Sequence, residues 1–306
     1  MIKYIIKRLI MMIPVMLGIT LLVFTIMSLS PGDPGTLILG PMATQEEIDA
    51  KNQELGFYDP FFVKYFDFVI NAVQGDLGTS WYNNQPVTRE IMNRFPVTFK
   101  LTIYSILLTV IVSIPLGTIA ALKQYSIIDN VSMLLALFLA SMPVFWLGLM
   151  LIIIFALNLD ILPATGNENW KNFILPTIAL AGSVIAVISR MTRVTMIEVL
   201  HMDYIRTARA KGATEGRVVR KHAIQNTLIP VVTVLGVNLG IMLGGTVLIE
   251  QVFGMAGIGT LMINAIRTKD IPLVMGSVTF LALCFSIINL LVDISYGFID
   301  PRIKTE

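Results

Sequence analysis

Six long runs without Asp, Glu, Lys, Arg or His dominate this sequence. They are Leu9 to Gly32, Leu101 to Leu122, Asn130 to Leu159, Asn172 to Ser189, Ala223 to Ile249 and Ile271 to Val292. A helix that crosses ~30 Å of hydrocarbon at ~1.5 Å per residue needs about 20 mostly apolar residues, and each run meets or approaches that length. The fourth is the shortest, at 18 residues, and is followed by Arg190 and Arg193, which would snorkel to the interface. The third is long and holds Pro143 near its centre, so a tilt or kink is expected there. Hydrophobic residues make up 55% and charged residues 14% of the chain, against about a quarter charged in soluble domains. Such a chain cannot cover itself with polar surface, which makes lipid its solvent. Disordered tails, nucleic-acid binders and disulfide scaffolds are excluded on the same ground. The single cysteine, Cys284, cannot form an internal disulfide.

The first run follows Lys3, Lys7 and Arg8, as in a signal peptide. It is longer than the usual apolar core of roughly 7–15 residues and no Ala-x-Ala site follows, so an uncleaved first helix is expected. Orientation follows from the Lys/Arg bias. With the N-terminus in the cytoplasm, that side holds Lys3, Lys7, Arg8, Lys123, the basic residues between Arg190 and Lys221, and Arg302 and Lys304. The short external loops hold only Lys171, Arg267 and Lys269. Both termini are therefore expected to be cytoplasmic.

Two connections are more than turns. The external one, residues 31–96, opens on Pro31-Gly-Asp-Pro34. Thr44 with Glu47 three residues later forms a capping-box pattern ahead of a helix. Phe61, Phe62, Tyr65, Phe66 and Phe68 are spaced for one face of a further helix, which Gly75-Asp-Leu-Gly78 breaks. This reads as a small helical domain, or else as a loop lying on the membrane surface. The internal connection, 190–222, carries eight Lys/Arg and three acids. Its centre, Asp203-Tyr-Ile-Arg-Thr-Ala-Arg-Ala-Lys-Gly212, favours a short helix stopped by Gly212, with a second short helix from about Thr214 to Ile224. It would present a knob to a soluble partner, or lie as a solvated basic loop on anionic lipid.

The sequence has no phosphate-cradling Gly-x-x-x-x-Gly-Lys-Ser/Thr, no His-Glu-x-x-His, no Cys-x-x-Cys and no Gly-x-Ser-x-Gly. No ionisable residue lies mid-run, which counts against proton- or ion-coupled transport. Energy for active transport would have to come from another chain. Gly236, Gly240 and Gly244 recur every four residues in the fifth run, with Gly245 beside them. That spacing suits close helix packing, a subunit interface or a narrow pore wall. Asn238 on the same helix would face a polar lumen or bond across helices.

From Asp203-Tyr-Ile-Arg-Thr-Ala-Arg-Ala-Lys-Gly212 to Leu228-Ile229-Pro230, the internal loop resembles the Glu-Ala-Ala loop of binding-protein-dependent ABC importer permeases. Arg206, Thr207 and Ala208 occupy the core positions, so the Glu and first Ala are replaced, as in the peptide and nickel branch. Pro31-Gly-Asp-Pro34, Leu55-Gly56, Gly75-Asp-Leu-Gly-Thr-Ser80, Glu250-x-Val-Phe253, Gly257-Ile-Gly259, Asp270-x-Pro272, Asn289-Leu-Leu-Val-Asp293 and Asp300-Pro-Arg302 extend the resemblance to the DppB/OppB-type permease subunit. Ala256 departs from the Pro usual before Gly-Ile-Gly.

The resemblance implies an all-α membrane protein of six transmembrane helices with the type I ABC importer architecture. The first helix would occupy residues 1–30, the external domain 31–96, a five-helix core 97–300 and a cytoplasmic tail 301–306. Function would be non-catalytic translocation of di- or oligopeptides, with nickel, a metal chelate or another solute as alternative cargo, and a stand-alone transporter or channel as the distant one. Partners would be a second permease, two cytoplasmic ATPases that hold ATP and Mg, and an external binding protein. The chain itself would bind no cofactor or metal. Asp203, Tyr204, Arg206, Thr207, Ala208, Arg209, Ala210, Lys211 and Gly212 would form the loop that couples to the ATPase, with Arg206, Arg209 and Lys211 offering charge to it.

Overall fold

A computed structural model of the chain describes residues 2–299. The expected tail at 301–306, with Arg302 and Lys304, and the Asp300-Pro-Arg302 motif lie outside the described residues. Among the described residues the fold is helical, apart from one isolated antiparallel bridge between Thr79 and Pro86. The helices α1 (Ile2–Leu29), α2 (Pro34–Leu39), α3 (Gln45–Glu54), α4 (Phe61–Val73) and α5 (Val87–Leu122) come first. Next are α6 (Ile127–Ser141), α7 (Val144–Leu151) with a π-helical extension over Ile152–Asn158, and α8 (Ile174–Leu200). Then follow α9 (Asp203–Ala210), α10 (Glu215–Arg217), α11 (Ile224–Val252), α12 (Ile258–Arg267) and α13 (Ile271–Ile299).

Five helical segments are long and apolar enough to cross a membrane, and the bent pair α6–α7 makes a sixth if it counts as one span. The expected kink at Pro143 is a full break: the two halves meet at 105°. Met142 takes extended backbone angles (φ −85°, ψ 130°), because a residue before proline is pushed out of the helical region and Pro143 has no N–H to donate. The second span also differs. Its helix begins at Val87 and runs through Pro96, well before the charge-free run at Leu101. Charges mark where lipid begins, and a helix can extend beyond that into water. The short helix expected at 214–224 is not separate either. The single turn α10 passes through a π turn, Val218–Ala223, directly into α11.

The chain divides into two compact units. One gathers Phe99–Met255 with the described residues from Ile288 on. Its hub is α8, which packs on α6, α7 and α11. The apolar window of α8 is 67% buried inside the protein. Small residues permit this crowding. A Cβ on Gly117 would lie 2.5 Å from the Ser189 carbonyl oxygen, and one on Gly182 would lie 2.8 Å from Leu147 Cδ2.

The other unit gathers Ile2–Thr98 with Ala256–Ile287. Only 11% of the apolar window of α1 is buried, as suits a helix whose remaining surface meets lipid. Phe24 and Met27 of α1, Tyr65 of α4, Val87 and Ile91 of α5, and residues of α12 and α13 make its core. The aromatic helix α4 does not turn all its rings one way. Phe61, Tyr65 and Phe68 face this core, while Phe62 and Phe66 are exposed. Two adjacent stripes at spacing i, i+4 therefore serve two surroundings. The Tyr65 hydroxyl donates to the Leu17 carbonyl at 3.0 Å and lies 3.1 Å from Thr20 Oγ1, tying α4 to α1. The capping box forms as its spacing predicts. Thr44 Oγ1 accepts from the Glu47 N–H at 3.4 Å, and Glu47 Oε2 accepts from the Thr44 N–H at 2.8 Å.

Candidate coupling site

The basic connection after α8 folds into a small anchored knob. Asp203 sits in the first turn of α9 and Arg209 in the last, each at the end that the helix dipole favours. Of its side chains only Ile205 is buried. It enters a cluster with Met196 and Val199 of α8 and with Val218 and Ala223 at the start of the fifth span. One fully buried aliphatic side chain contributes about 1.5–3 kcal/mol, so Ile205 pins α9 to two spans at once. Asp203, Tyr204, Arg206, Thr207, Arg209, Ala210, Lys211 and Gly212 are exposed, and Ala208 is half-buried.

The C-terminus of α9 is a Schellman motif. The Gly212 N–H donates to the Arg209 carbonyl at 2.9 Å, and the Ala213 N–H to the Ala208 carbonyl at 3.2 Å. The left-handed conformation this needs falls on Gly212, at φ +81°. The Arg209 guanidinium then reaches over the turn to Glu215, with Nε to Oε1 at 2.7 Å and a second nitrogen to Oε2 at 3.2 Å. Bonding to that carboxylate raises the Arg209 pKa above its ordinary value. Arg209 is thus engaged within the loop, as a clasp closing α9 against α10. Arg206 and Lys211 remain exposed.

Within this chain the glycines of the fifth span meet different surroundings. A Cβ on Gly236 would lie 2.2 Å from Val292 Cγ1, and one on Gly245 would lie 3.0 Å from Leu180 Cδ1. Gly244 has nothing within 4 Å, and Gly240 is half-buried. Asn238 donates to the Val234 carbonyl of its own helix at 2.7 Å rather than bonding across helices, since the carbonyl one turn earlier is always within reach of a side-chain amide.

Two polar constructions went unseen in the sequence. Arg193, expected to snorkel, instead grips Asp129. Nε lies 2.5 Å from Oδ1 and a second nitrogen 2.7 Å from Oδ2, with the side chains 19% and 2% exposed. Asp129 also accepts from the Tyr125 N–H at 3.0 Å. Only the Ser126-x-x-Asp129 spacing of a helix start hinted that Asp129 faces inward. The second construction lies in the other unit. Lys269, counted as an external charge, is buried, and its ammonium donates to the Ser30 and Gly32 carbonyls. Beside it Asp270 accepts from Ser80 Oγ, from the Tyr82 N–H at 3.3 Å and from the Leu273 N–H at 3.2 Å. Pro31-Gly-Asp-Pro34, Gly75-to-Ser80 and Asp270-x-Pro272 thus converge on one tie. The loop after Gly257, where Ala256 departs from the familiar pattern, forms a helix of its own, α12.

Among the described residues no group of three or more His, Cys, Asp or Glu could hold a metal. Several apolar spans, with α6, α7 and α11 packed on α8 and an exposed helix anchored at the ends of two, make this a multi-span helical membrane protein. Residues 113–305 match the family described as "Binding-protein-dependent transport system inner membrane component", and residues 1–102 match its N-terminal region. The glutathione transport system permease protein GsiC of Escherichia coli O6:H1 is 41% identical over 304 residues, covering 99% of both chains. The same-named protein of Escherichia coli strain K12 is 40% identical over the same length. A solved inward-facing form of the MetNI methionine ABC transporter shares the fold, with TM-score 0.56, 17% identity, and coverage of 70% of this chain and 97% of that one. The chain belongs to the binding-protein-dependent transport family: it is a non-catalytic, multi-span permease subunit of an ABC importer of the DppB/OppB type. Its family makes ATPase subunits and a substrate-binding protein its working partners.

Proposed function

We propose that this permease imports short peptides, with α9 as the part gripped by an ATPase. The observation that carries the coupling role is the anchorage of Ile205 in a cluster built from α8 and the start of the fifth span. A push on the exposed face of α9 is transmitted to both spans through that side chain and through the Arg209–Glu215 clasp. The loop 190–222 and both termini lie in the cytoplasm, as the Lys/Arg asymmetry supports. Residues 31–96 lie outside and form part of the platform on which the binding protein docks. A second permease subunit completes the pathway, and two ATPase subunits hold ATP and Mg. Nucleotide binding draws the ATPases together, and the spans rock between inward- and outward-facing states, a shift set by differential affinity for the two. The peptide assignment is supported by the relatives named for glutathione transport, a cargo that is itself a short peptide.

The test uses cells that lack the chromosomal copy and carry this gene with its neighbours. Labelled di- and tripeptides should enter, and Ile205→Asp should abolish uptake while the protein still inserts. Uptake of nickel ion but not of peptides would overturn the cargo assignment. Undiminished peptide uptake by Ile205→Asp would overturn the coupling role of α9.

A further inference from the structure

The helix α4 carries three stripes. Phe61, Tyr65 and Phe68 face the core of their unit. At 3.6 residues per turn, Lys64, Asp67 and Asn71 share a second side and Phe62, Phe66, Ile70 and Val73 a third. Asp67 and Asn71 are exposed, and Lys64 reaches back to the Phe57 carbonyl at 2.7 Å. Phe62, Phe66, Ile70 and Val73 are each more than half exposed. Large apolar side chains left open in one continuous stripe mark an interaction surface.

The level at which α4 is held says what covers that stripe. The rings of Phe61 and Phe24 lie 5.0 Å apart, and the Tyr65 ring lies 5.7 Å from that of Phe24. The Tyr65 hydroxyl reaches a turn further along α1, to the Leu17 carbonyl and Thr20. All three α1 residues lie within the apolar segment Ile5–Leu29. Phe24 stands five residues before its end, which at ~1.5 Å per residue is about 7 Å inside the edge. Amphipathic helices that lie in a bilayer surface sink their apolar face by about 5–10 Å. The edge is marked independently. Lys269 donates to the Ser30 and Gly32 carbonyls just past α1, and its ammonium lies 5.9 Å from the centre of the Phe57 ring, shortly before α4. An ammonium is costly in hydrocarbon, so this contact sits at the border. Close to Phe24 in the chain, Leu22 and Ile26 of α1 are exposed as well. A soluble partner reaching Phe62 and Phe66 would have to displace lipid from beside the first span, whereas Asp67 and Asn71 lie on a side of their own.

We infer that α4 is an interfacial helix whose Phe62, Phe66, Ile70 and Val73 stripe lies among the acyl chains of the outer leaflet, with Asp67 and Asn71 toward water. It would fix the height of the external region against the first span. The choice of leaflet rests on the reading that residues 31–96 are external, and the depth rests on α1 being a span.

The assembled transporter is reconstituted into liposomes in a Cys284→Ala background, and a nitroxide is attached in turn to Phe66→Cys, Ile70→Cys and Asp67→Cys. Power saturation compares collision with oxygen, which concentrates among acyl chains, and with a nickel chelate, which stays in water and is added outside only or on both sides. Labels at positions 66 and 70 should be reached by oxygen and shielded from the chelate, at a depth of about 5–10 Å. The label at position 67 should be reached by the external chelate. Adding Phe62→Asp should expose the label at position 70 to the chelate, and Phe62→Leu should leave it shielded. Chelate contact at positions 66 and 70 equal to that at position 67 would overturn the proposal. So would exclusion of both reagents from positions 66 and 70, because another protein surface would then cover the stripe. Oxygen contact at position 66 with the chelate reaching position 67 only from inside would overturn the outer-leaflet placement and with it the external position of residues 31–96, which the other two results would leave standing.

Discussion

Asp129 and Arg193 show what a single pair of side chains does in this protein. Asp129 is only 2% exposed and takes both nitrogens of the guanidinium fork. Breaking a buried pair leaves its partner charged and unmatched, which costs about 3 kcal/mol. Asp129→Asn should therefore lower stability by about 3 kcal/mol, read by thermal unfolding in detergent. The double exchange Asp129→Arg with Arg193→Asp should recover part of it. A surface carboxylate behaves differently. Bonds from the Thr44 backbone and then its hydroxyl hold the Glu47 carboxyl below its ordinary value of 4.5. The capping box thus contributes stability that is present above 4.5 and is lost as pH falls through the lower folded value. The protection of the α3 amides, measured against their intrinsic exchange rate at each pH, should fall across that acid range in the wild type. Glu47→Gln should flatten the response.

At the scale of elements, the turn after α9 makes the sharpest prediction. Gly212 has φ +81°, and a Cβ there meets nothing within 4 Å. Gly212→Ala should therefore cost only the left-handed backbone penalty, about 1 kcal/mol, with Asn tolerated better. Proline fixes φ near −65°, so Gly212→Pro should unseat α9 and uncouple ATP hydrolysis from uptake while leaving insertion intact. Assays of both activities on one preparation separate these outcomes. This turn was legible in the sequence, because a helix of Ala and long straight side chains followed by Gly is a local signal. The capping box at Thr44 was legible for the same reason. The break at Met142–Pro143 was half legible: proline announces an interruption, but packing on α8 sets how far the chain turns. The start of α5 at Val87 was hidden, because absence of charge reports contact with lipid and says nothing of helix that continues into water. Arg193 was read as a snorkelling residue because its partner lies 64 positions away, and local spacing carries no trace of such a meeting. The burial of Lys269 was hidden for the same reason, its acceptors being the carbonyls of Ser30 and Gly32, far away in sequence.

On the scale of the whole molecule, the chain is a conduit without its own energy source, and an exposed helix pinned to two spans is the place where we propose that work enters. The spans leave large apolar side chains exposed on the chain by itself, among them Leu134, Phe138 and Leu157, as suits segments that lie in a bilayer. The central claim is that this subunit moves cargo only when an ATPase drives it. The direct measurement is uptake of labelled peptide into proteoliposomes, comparing the chain alone with the full assembly of permeases, ATPases and binding protein, each with and without ATP. Accumulation should occur only in the full assembly and only with ATP. Accumulation by the chain alone, or by the assembly without ATP, would contradict the account.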